Sequence, residues 1–217
     1  MDFSVARRNM VENQIRPNRV TDARVLAALE EVPRELFVPE GVRNIAYIDG
    51  DIELGAGRRM LEPTVFARLL QAAEIQPNEV VLDVGCGTGY SAAVLAHLAS
   101  TVVALESDRA LAQRATKLLA DQSVDTVALV EGALAAGDKV HGPYDVIVIE
   151  GAVAKVPEGL LAQLADGGRL VAVVTQPGSV GRATLMLRVG ESVSSRPLFE
   201  AAAALLPGFT ARPGFVF

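Results

Sequence analysis

The segment that most constrains the fold is 80–90, where a short apolar run leads into three alternating glycines. The run Val-Val-Leu-Asp-Val at 80–84 is rich in β-branched residues and fits a buried strand better than a helix. The glycines occupy alternate positions of 85–89, and 91–98 has the pattern of a helix. Glycines permit a tight turn and leave the backbone bare for a ligand. A loop at the carboxyl end of a parallel strand is where open α/β sheets bind ligands.

The same alternation of strand and helix extends from 64 to 175, which predicts parallel strands, right-handed crossovers and a sheet covered on both faces. After Gly178 two strands separated by a turn at Gly190 predict an antiparallel hairpin. We therefore expect a Rossmann-like, doubly wound α/β fold with a mostly parallel seven-stranded sheet. Strands are predicted at 80–84, 101–106, 125–130, 144–149, 169–174, 183–189 and 198–206, and helices at 64–75, 91–98, 108–120 and 157–164.

The first 63 residues read differently from the rest. A helix is predicted over 21–29 and ends before Pro33. Prolines and glycines are frequent in 33–63, so regular structure there should be short, as in a loop over a binding cleft. We expect a helical and substrate-loop extension at 1–63 attached to one compact unit at 64–217.

Composition narrows the possible partners and compartments. Twenty Lys and Arg against 26 Asp and Glu give a net charge of −6, which disfavours a nucleic-acid partner. One cysteine excludes an internal disulfide, and with two histidines it leaves little for a metal site. No signal peptide and no membrane span are visible in the sequence. We therefore expect a cytoplasmic protein without a bound metal or membrane contact.

Two nucleotide cofactors are compatible with the glycine loop. The segment 87–92 can be matched to a dinucleotide pattern, but that match leaves Gly85 and Asp83 unexplained. If all three glycines face the ligand, Asp83 can order the loop or meet an ammonium group. Glu106, at the end of the next strand, can then bind a ribose diol. A carboxylate at this place does not discriminate, because dinucleotide enzymes use one there too.

The motifs of this half resemble those of class I S-adenosylmethionine-dependent methyltransferases. The matching residues are Asp-x-Gly-x-Gly-x-Gly at 83–89, Glu106, Tyr-Asp at 144–145 and Leu-Ala-Asp-Gly-Gly-Arg-Leu at 164–170. The resemblance implies S-adenosyl-L-methionine as cofactor. The cofactor-binding residues that it implies are Asp83, Gly85, Cys86, Gly87, Thr88, Gly89, Glu106, Ser107, Gly132 and Ala133.

The N-terminal half is similar to the protein-L-isoaspartate O-methyltransferase family. The strings that carry the similarity are Met-Val-Glu-Asn-Gln-Ile at 10–15, Val-Leu-Ala-Ala-Leu at 25–29, Val-Pro-Arg-Glu-Leu-Phe-Val-Pro at 32–39 and Ala-Tyr-Ile-Asp at 46–49. The resemblance implies methyl transfer to the α-carboxylate of isoaspartyl residues in a damaged protein or peptide. A small carboxylate is the alternative acceptor that the altered segment 57–63 leaves open.

The chain departs from that family in the segment expected over the active site. The family has Gly-Gln-Thr-Ile-Ser-Gln-Pro, whereas 57–63 reads Gly-Arg-Arg-Met-Leu-Glu-Pro, so Leu61 replaces the serine. After the third strand the chain has Glu-Gly-Ala at 131–133 in place of Gly-Asp-Gly. No catalytic residue is therefore assigned. The candidate substrate-loop residues are Arg58, Arg59, Met60, Leu61 and Glu150.

The altered loop leaves alternatives open for its two arginines, for Leu61 and for the function of the chain. Arg58 and Arg59 can bind an anionic acceptor, because guanidinium groups pair with carboxylates, or they can form a solvated pair. Leu61 can pack beneath the loop or line an apolar pocket. The chain as a whole can be an isoaspartyl methyltransferase, a methyltransferase for another acceptor, or a cofactor-binding homologue without isoaspartyl activity.

Overall fold

A seven-stranded sheet forms the centre of the computed structural model, which describes residues 2–176 and 178–209. Two strands, β1 (Ile52–Gly55) and β2 (Arg58–Met60), form a separate hairpin. The seven strands of the main sheet are β3 (Val80–Val84), β4 (Thr101–Glu106), β5 (Val127–Glu131), β6 (Tyr144–Val153), β7 (Leu164–Val174), β8 (Arg182–Val189) and β9 (Ser192–Glu200). The helices are α1 (Phe3–Met10), α2 (Ala23–Glu31), α3 (Pro63–Ala73), α4 (Tyr90–Ala96), α5 (Arg109–Asp121) and α6 (Glu158–Leu161).

The order of strands in this sheet is β5-β4-β3-β6-β7-β8-β9. The first five strands are parallel, and β8 and β9 add an antiparallel hairpin. The sheet has buried apolar residues on both faces, and its central strands are accordingly almost continuous apolar runs. The predicted fold class is confirmed, including the terminal hairpin and the helical N-terminus.

Three predicted boundaries at the C-terminal side of the sheet are wrong. β7 begins at Leu164, since Leu164 pairs with Tyr144 before an irregularity that spans Gly167 and Gly168. The helix predicted to reach 164 is correspondingly only the single turn Glu158–Leu161. The last strand is Ser192–Glu200 and not 198–206, because it is an exposed edge strand whose polar sequence carries no alternating apolar signal.

The N-terminal segment packs as a helical layer against α3 and α4, the helices that cover one face of the sheet. Asp22 caps α2, accepting hydrogen bonds from the backbone N–H groups of Arg24 and Val25, and the buried face of this helix belongs to the same apolar cluster as β3. From Pro33 to Pro63 the regular structure consists of turns of 3-10 helix and the separate two-stranded hairpin β1–β2. No helix within 2–176 and 178–209 has the length and apolar character to cross a membrane.

The Val-Pro-Arg-Glu-Leu-Phe-Val-Pro string fastens this layer to the glycine loop. The buried guanidinium of Arg34 donates to the carbonyls of Ala46 (2.8 Å) and Leu61 (2.7 Å), and it lies over the Tyr90 ring. The Thr88 hydroxyl, within the loop, donates to the Phe37 carbonyl. A local sequence motif therefore sets the position of the β1–β2 hairpin relative to the loop.

We predict that Arg34→Met lowers the free energy of unfolding by about 3 kcal/mol, because two buried carbonyls lose their donor while the apolar stem is kept. Urea unfolding at fixed pH measures the change. Arg8→Met is the matched control, because Arg8 is mostly exposed and its contact with Glu30 is a surface ion pair. Equal unfolding midpoints for Arg34→Met and the parent chain would contradict this role.

Candidate functional site

The glycine loop lies between β3 and α4 at the carboxyl edge of the sheet. Gly85, Gly87 and Gly89 have φ values of +86°, +57° and +93°, a region that side-chain-bearing residues rarely adopt. The N–H of Gly85 donates to the Leu105 carbonyl at 2.8 Å, which fixes the loop against β4. The three positive φ values explain why glycine stands at alternate positions.

The carboxylate of Glu106 is the polar centre of this edge and is fully buried. One oxygen, Oε2, accepts the N–H of Gly87 at 2.8 Å. The other oxygen, Oε1, accepts the backbone N–H groups of Ser107 (2.7 Å) and Asp108 (3.0 Å). The backbone around Glu106 is thus arranged to hold a carboxylate that faces the glycine loop.

Arg58 of the β1–β2 hairpin reaches into this centre. Its Nη1 donates to Glu106 Oε1 at 2.9 Å and its Nη2 donates to the Gly85 carbonyl at 2.7 Å. The two charged side chains are 2% and 0% exposed. The solvated interpretation is therefore wrong for Arg58, whereas Arg59, the next residue, is exposed.

Two further carboxyl groups, Asp83 and Glu150, are buried beside the loop. Burial, with a smaller contribution from Glu106, raises the pKa of Asp83 to about 7, against the opposing hydrogen bond from Ser91 Oγ at 2.6 Å. Burial likewise raises the pKa of Glu150, and the nearby Asp83 adds to the effect. Both groups are thereby biased towards the neutral carboxylic acid.

A small cavity of about 10 Å³ lies between the hairpin and the loop, which is room for about one water molecule. Several buried polar atoms in and around it have no hydrogen-bond partner among the described residues: Arg34 Nη1, Arg58 Nε, Asp83 Oδ1, Tyr90 OH and Glu150 Oε1. The cavity is lined by Arg34, Leu54, Arg59, Met60, Leu61, Phe66, Gly85, Cys86, Tyr90, Ser91 and Glu150. The hairpin therefore closes tightly over a polar interior.

The structure brings most of the sequence-predicted residues to this edge. Gly132 joins Glu106 there, since its N–H donates to the Glu106 carbonyl at 2.9 Å, and Ser107 and Ala133 flank the two strand ends in exposed positions. Met60 and Leu61 are buried in the cavity wall, and the side chain of Thr88 is bonded to the N-terminal layer.

Sequence reasoning missed five residues of the cavity wall, namely Arg34, Leu54, Phe66, Tyr90 and Ser91. The family-like string around Arg34 was the signal for the first. Leu54 carried no signal, because its place depends on how the hairpin folds back over Gly87. Burial raises the pKa of the Cys86 thiol, which gives this cysteine no nucleophilic character.

No group of three or more His, Cys, Asp or Glu side chains suited to a metal ion occurs within 2–176 and 178–209. The chemistry of this part of the chain is that of bare backbone, buried carboxyl groups and arginines.

We predict that the stability of the chain falls from pH 4 to pH 8 and that Asp83→Asn weakens this fall. A folded-state pKa above the ordinary value of 3.8 means that Asp83 contributes stability below pH 3.8, which is lost as pH rises through 7. We expect the free energy of unfolding of Asp83→Asn to gain about 2–4 kcal/mol on the parent between pH 4 and 8.

Urea unfolding across this range makes the measurement, with Asp125→Asn, an exposed aspartate, as control. A constant difference between Asp83→Asn and the parent at all pH values would contradict the buried, protonated Asp83.

Comparison with known proteins identifies the family. A sequence profile described as Protein-L-isoaspartate(D-aspartate) O-methyltransferase (PCMT) matches residues 5–197. Protein-L-isoaspartate O-methyltransferase of Methanoculleus marisnigri is 41% identical over 168 residues, 77% of this chain and 76% of that protein. The protein of that name in Methylorubrum extorquens is 39% identical over 195 residues, 90% of this chain and 85% of that protein.

Solved structures of the same description share the fold. One protein-L-isoaspartate O-methyltransferase superposes with a TM-score of 0.80 at 24% identity, over 93% of this chain and 66% of that chain. A Plasmodium falciparum structure described as a complex with S-adenosyl-L-homocysteine gives a TM-score of 0.79 at 19% identity, over 92% of this chain and 97% of that chain. The resemblance seen in the sequence motifs is thereby confirmed, and the chain belongs to the protein-L-isoaspartate (D-aspartate) O-methyltransferase family.

Proposed function

We propose that this chain transfers a methyl group from S-adenosylmethionine to the carboxylate of isoaspartyl residues in proteins or peptides. Family membership supports the methyltransferase class, the methyl donor and the isoaspartyl substrate that the sequence predicted. It does not favour the alternatives of another acceptor or a homologue without isoaspartyl activity. The structural observation that carries the proposal is the buried carboxylate of Glu106 facing the glycine loop.

The groups at this edge fit the cofactor chemically. A ribose diol offers two hydroxyl donors to Glu106, and the bare backbone of residues 85–89 admits close approach of a ligand. The buried Asp83 lies beneath the loop, where it orders Ser91 or meets the ammonium group of an amino acid. With the β1–β2 hairpin in its closed position, the space above the glycine loop is too small for the cofactor, because Arg58 and Leu54 lie on the loop.

The reaction needs few catalytic side chains. A carboxylate acceptor has a pKa near ~4 and is already ionised at neutral pH, so no general base is required. When bound, the cofactor supplies a methyl group on a sulfonium, which is a good leaving group. The contribution of the chain is to align donor and acceptor and to exclude water once both are bound.

We assign the acceptor side of the site to Arg59 and Glu150, which line the cavity together with Arg34. Arg59 is exposed, and its guanidinium can bind an incoming carboxylate. Glu150 in its neutral form can donate a hydrogen bond to that carboxylate and avoids charge repulsion with it. This arrangement replaces the hydroxyl that the family serine would supply at position 61.

We predict methyl transfer from labelled S-adenosylmethionine to an isoaspartyl peptide and none to the matching aspartyl peptide. Gly87→Arg should reduce transfer by about a hundredfold or more, because even a Cβ at this residue would lie 2.7 Å from the Leu54 side chain and the donor loses its backbone cradle. Gly41→Arg is the matched control, because Gly41 has open space around it.

Circular dichroism verifies that both variants are folded before activity is compared. Binding of S-adenosylmethionine without transfer to the isoaspartyl peptide would overturn the proposed acceptor and leave the donor site in place.

A further inference from the structure

The guanidinium of Arg58 occupies the hydrogen-bonding positions that a nucleoside would need. It donates to Glu106 Oε1 at 2.9 Å and to the Gly85 carbonyl at 2.7 Å. A Cβ built on Gly85 would lie 2.7 Å from Arg58 Nη2, so the arginine lies directly on the loop backbone. A ligand that approaches this backbone therefore meets Arg58 first.

The other hydrogen-bond acceptor positions of the Glu106 carboxylate are already occupied. Its two oxygens accept the N–H groups of Gly87, Ser107 and Asp108, and these donors belong to the loop and to the β4–α5 connection. The two oxygens of a carboxylate offer about four lone-pair positions. Three of these positions accept backbone N–H groups and the fourth accepts Arg58, so a ribose hydroxyl can take that fourth position only when Arg58 has left it.

The hairpin that carries Arg58 also fills the space above the loop. The tip of Leu54, on β1, lies where a side chain on Gly87 would begin, and Leu206 lies beside Arg58 at Gly85. What is left is the cavity of about 10 Å³, far below the volume of a nucleoside. The β1–β2 hairpin must move for a cofactor to enter.

The closed arrangement leaves polar groups incompletely satisfied. Arg58 Nε, Asp83 Oδ1 and Glu150 Oε1 are buried and have no partner among residues 2–176 and 178–209. Buried ion pairs repay their desolvation only when every donor and acceptor is paired. The Arg58–Glu106 ion pair thus holds the hairpin closed, but the buried atoms around it lack hydrogen-bond partners within the described part of the chain. A ligand that satisfies those atoms can therefore replace Arg58 on Glu106.

We propose that Arg58 is an internal competitor for the cofactor: it binds the ribose-binding carboxylate of Glu106, holds the β1–β2 hairpin closed over the glycine loop, and lowers the affinity for S-adenosylmethionine. The inference depends on the proposed function, because it takes Glu106 to be the ribose ligand. The apparent affinity equals the intrinsic affinity multiplied by the fraction of molecules whose hairpin is open, and Arg58 sets that fraction.

The test is calorimetric titration of S-adenosylmethionine and S-adenosylhomocysteine into the parent chain and Arg58→Gln, which introduces the family's residue at this position. We expect Arg58→Gln to bind both ligands at least about tenfold more tightly. Arg196→Gln, an exposed arginine on β9, removes the same charge and should leave the affinity unchanged. Arg58→Met serves if Arg58→Gln does not fold.

A second measurement does not depend on ligand. Hydrogen exchange of the backbone over 52–60 should be faster in Arg58→Gln than in the parent chain, because the contact that holds the hairpin closed is lost. Unchanged exchange would show that other contacts close the hairpin and would overturn the proposal.

The affinities separate this inference from the proposed function. Equal or weaker binding by Arg58→Gln, with a parent chain that binds the cofactor and methylates, overturns the competitor role alone, since Arg58 would then assist binding or be neutral. If neither protein binds either ligand, the proposed function fails and the inference fails with it.

Discussion

The arrangement of hydrogen bonds around the Glu106 carboxylate is the constraint on which the rest of the site depends. Three backbone N–H groups from two different segments converge on it, one from Gly87 in the glycine loop and two from the start of the β4–α5 connection. They hold a fully buried carboxylate at the carboxyl edge of the sheet. The carboxylate can accept a further hydrogen bond, and in this chain Arg58 donates it.

The N-terminal layer sets the position of the β1–β2 hairpin, which carries Arg58. Arg34 binds the carbonyls that bracket the hairpin, at Ala46 and Leu61, and Thr88 binds the Phe37 carbonyl from within the loop. The string at 32–39 that carries the family resemblance therefore has a structural role, because its hydrogen bonds hold the hairpin against the loop that it covers. These buried contacts hold the hairpin in its place over the loop.

The sequence predicted the parts of the structure that depend on local pattern. Apolar runs of limited length located the five parallel strands, and three alternating glycines located the loop whose backbone requires positive φ values. The edge strand Ser192–Glu200 was misplaced because an exposed strand needs no apolar alternation. Asp83, Glu106 and Gly132 were assigned to one edge because the carboxyl ends of parallel strands meet there.

The place of Arg58 could not be predicted from the sequence. Its partner lies 48 residues away, and two adjacent arginines in a Gly-rich loop have the pattern of an exposed, solvated pair. Only the fold of the hairpin separates them, burying Arg58 on Glu106 and leaving Arg59 exposed. The alternating burial of a short strand thus decides which arginine faces the loop and which is exposed.

The central claim is that Glu106 binds either Arg58 or the cofactor ribose. A crystal structure of the chain with S-adenosylhomocysteine tests it most directly. The account predicts both ribose hydroxyls within about 3 Å of the Glu106 carboxylate, with the Arg58 guanidinium displaced from it. Arg58 still bonded to Glu106 while the ligand is bound would contradict the account.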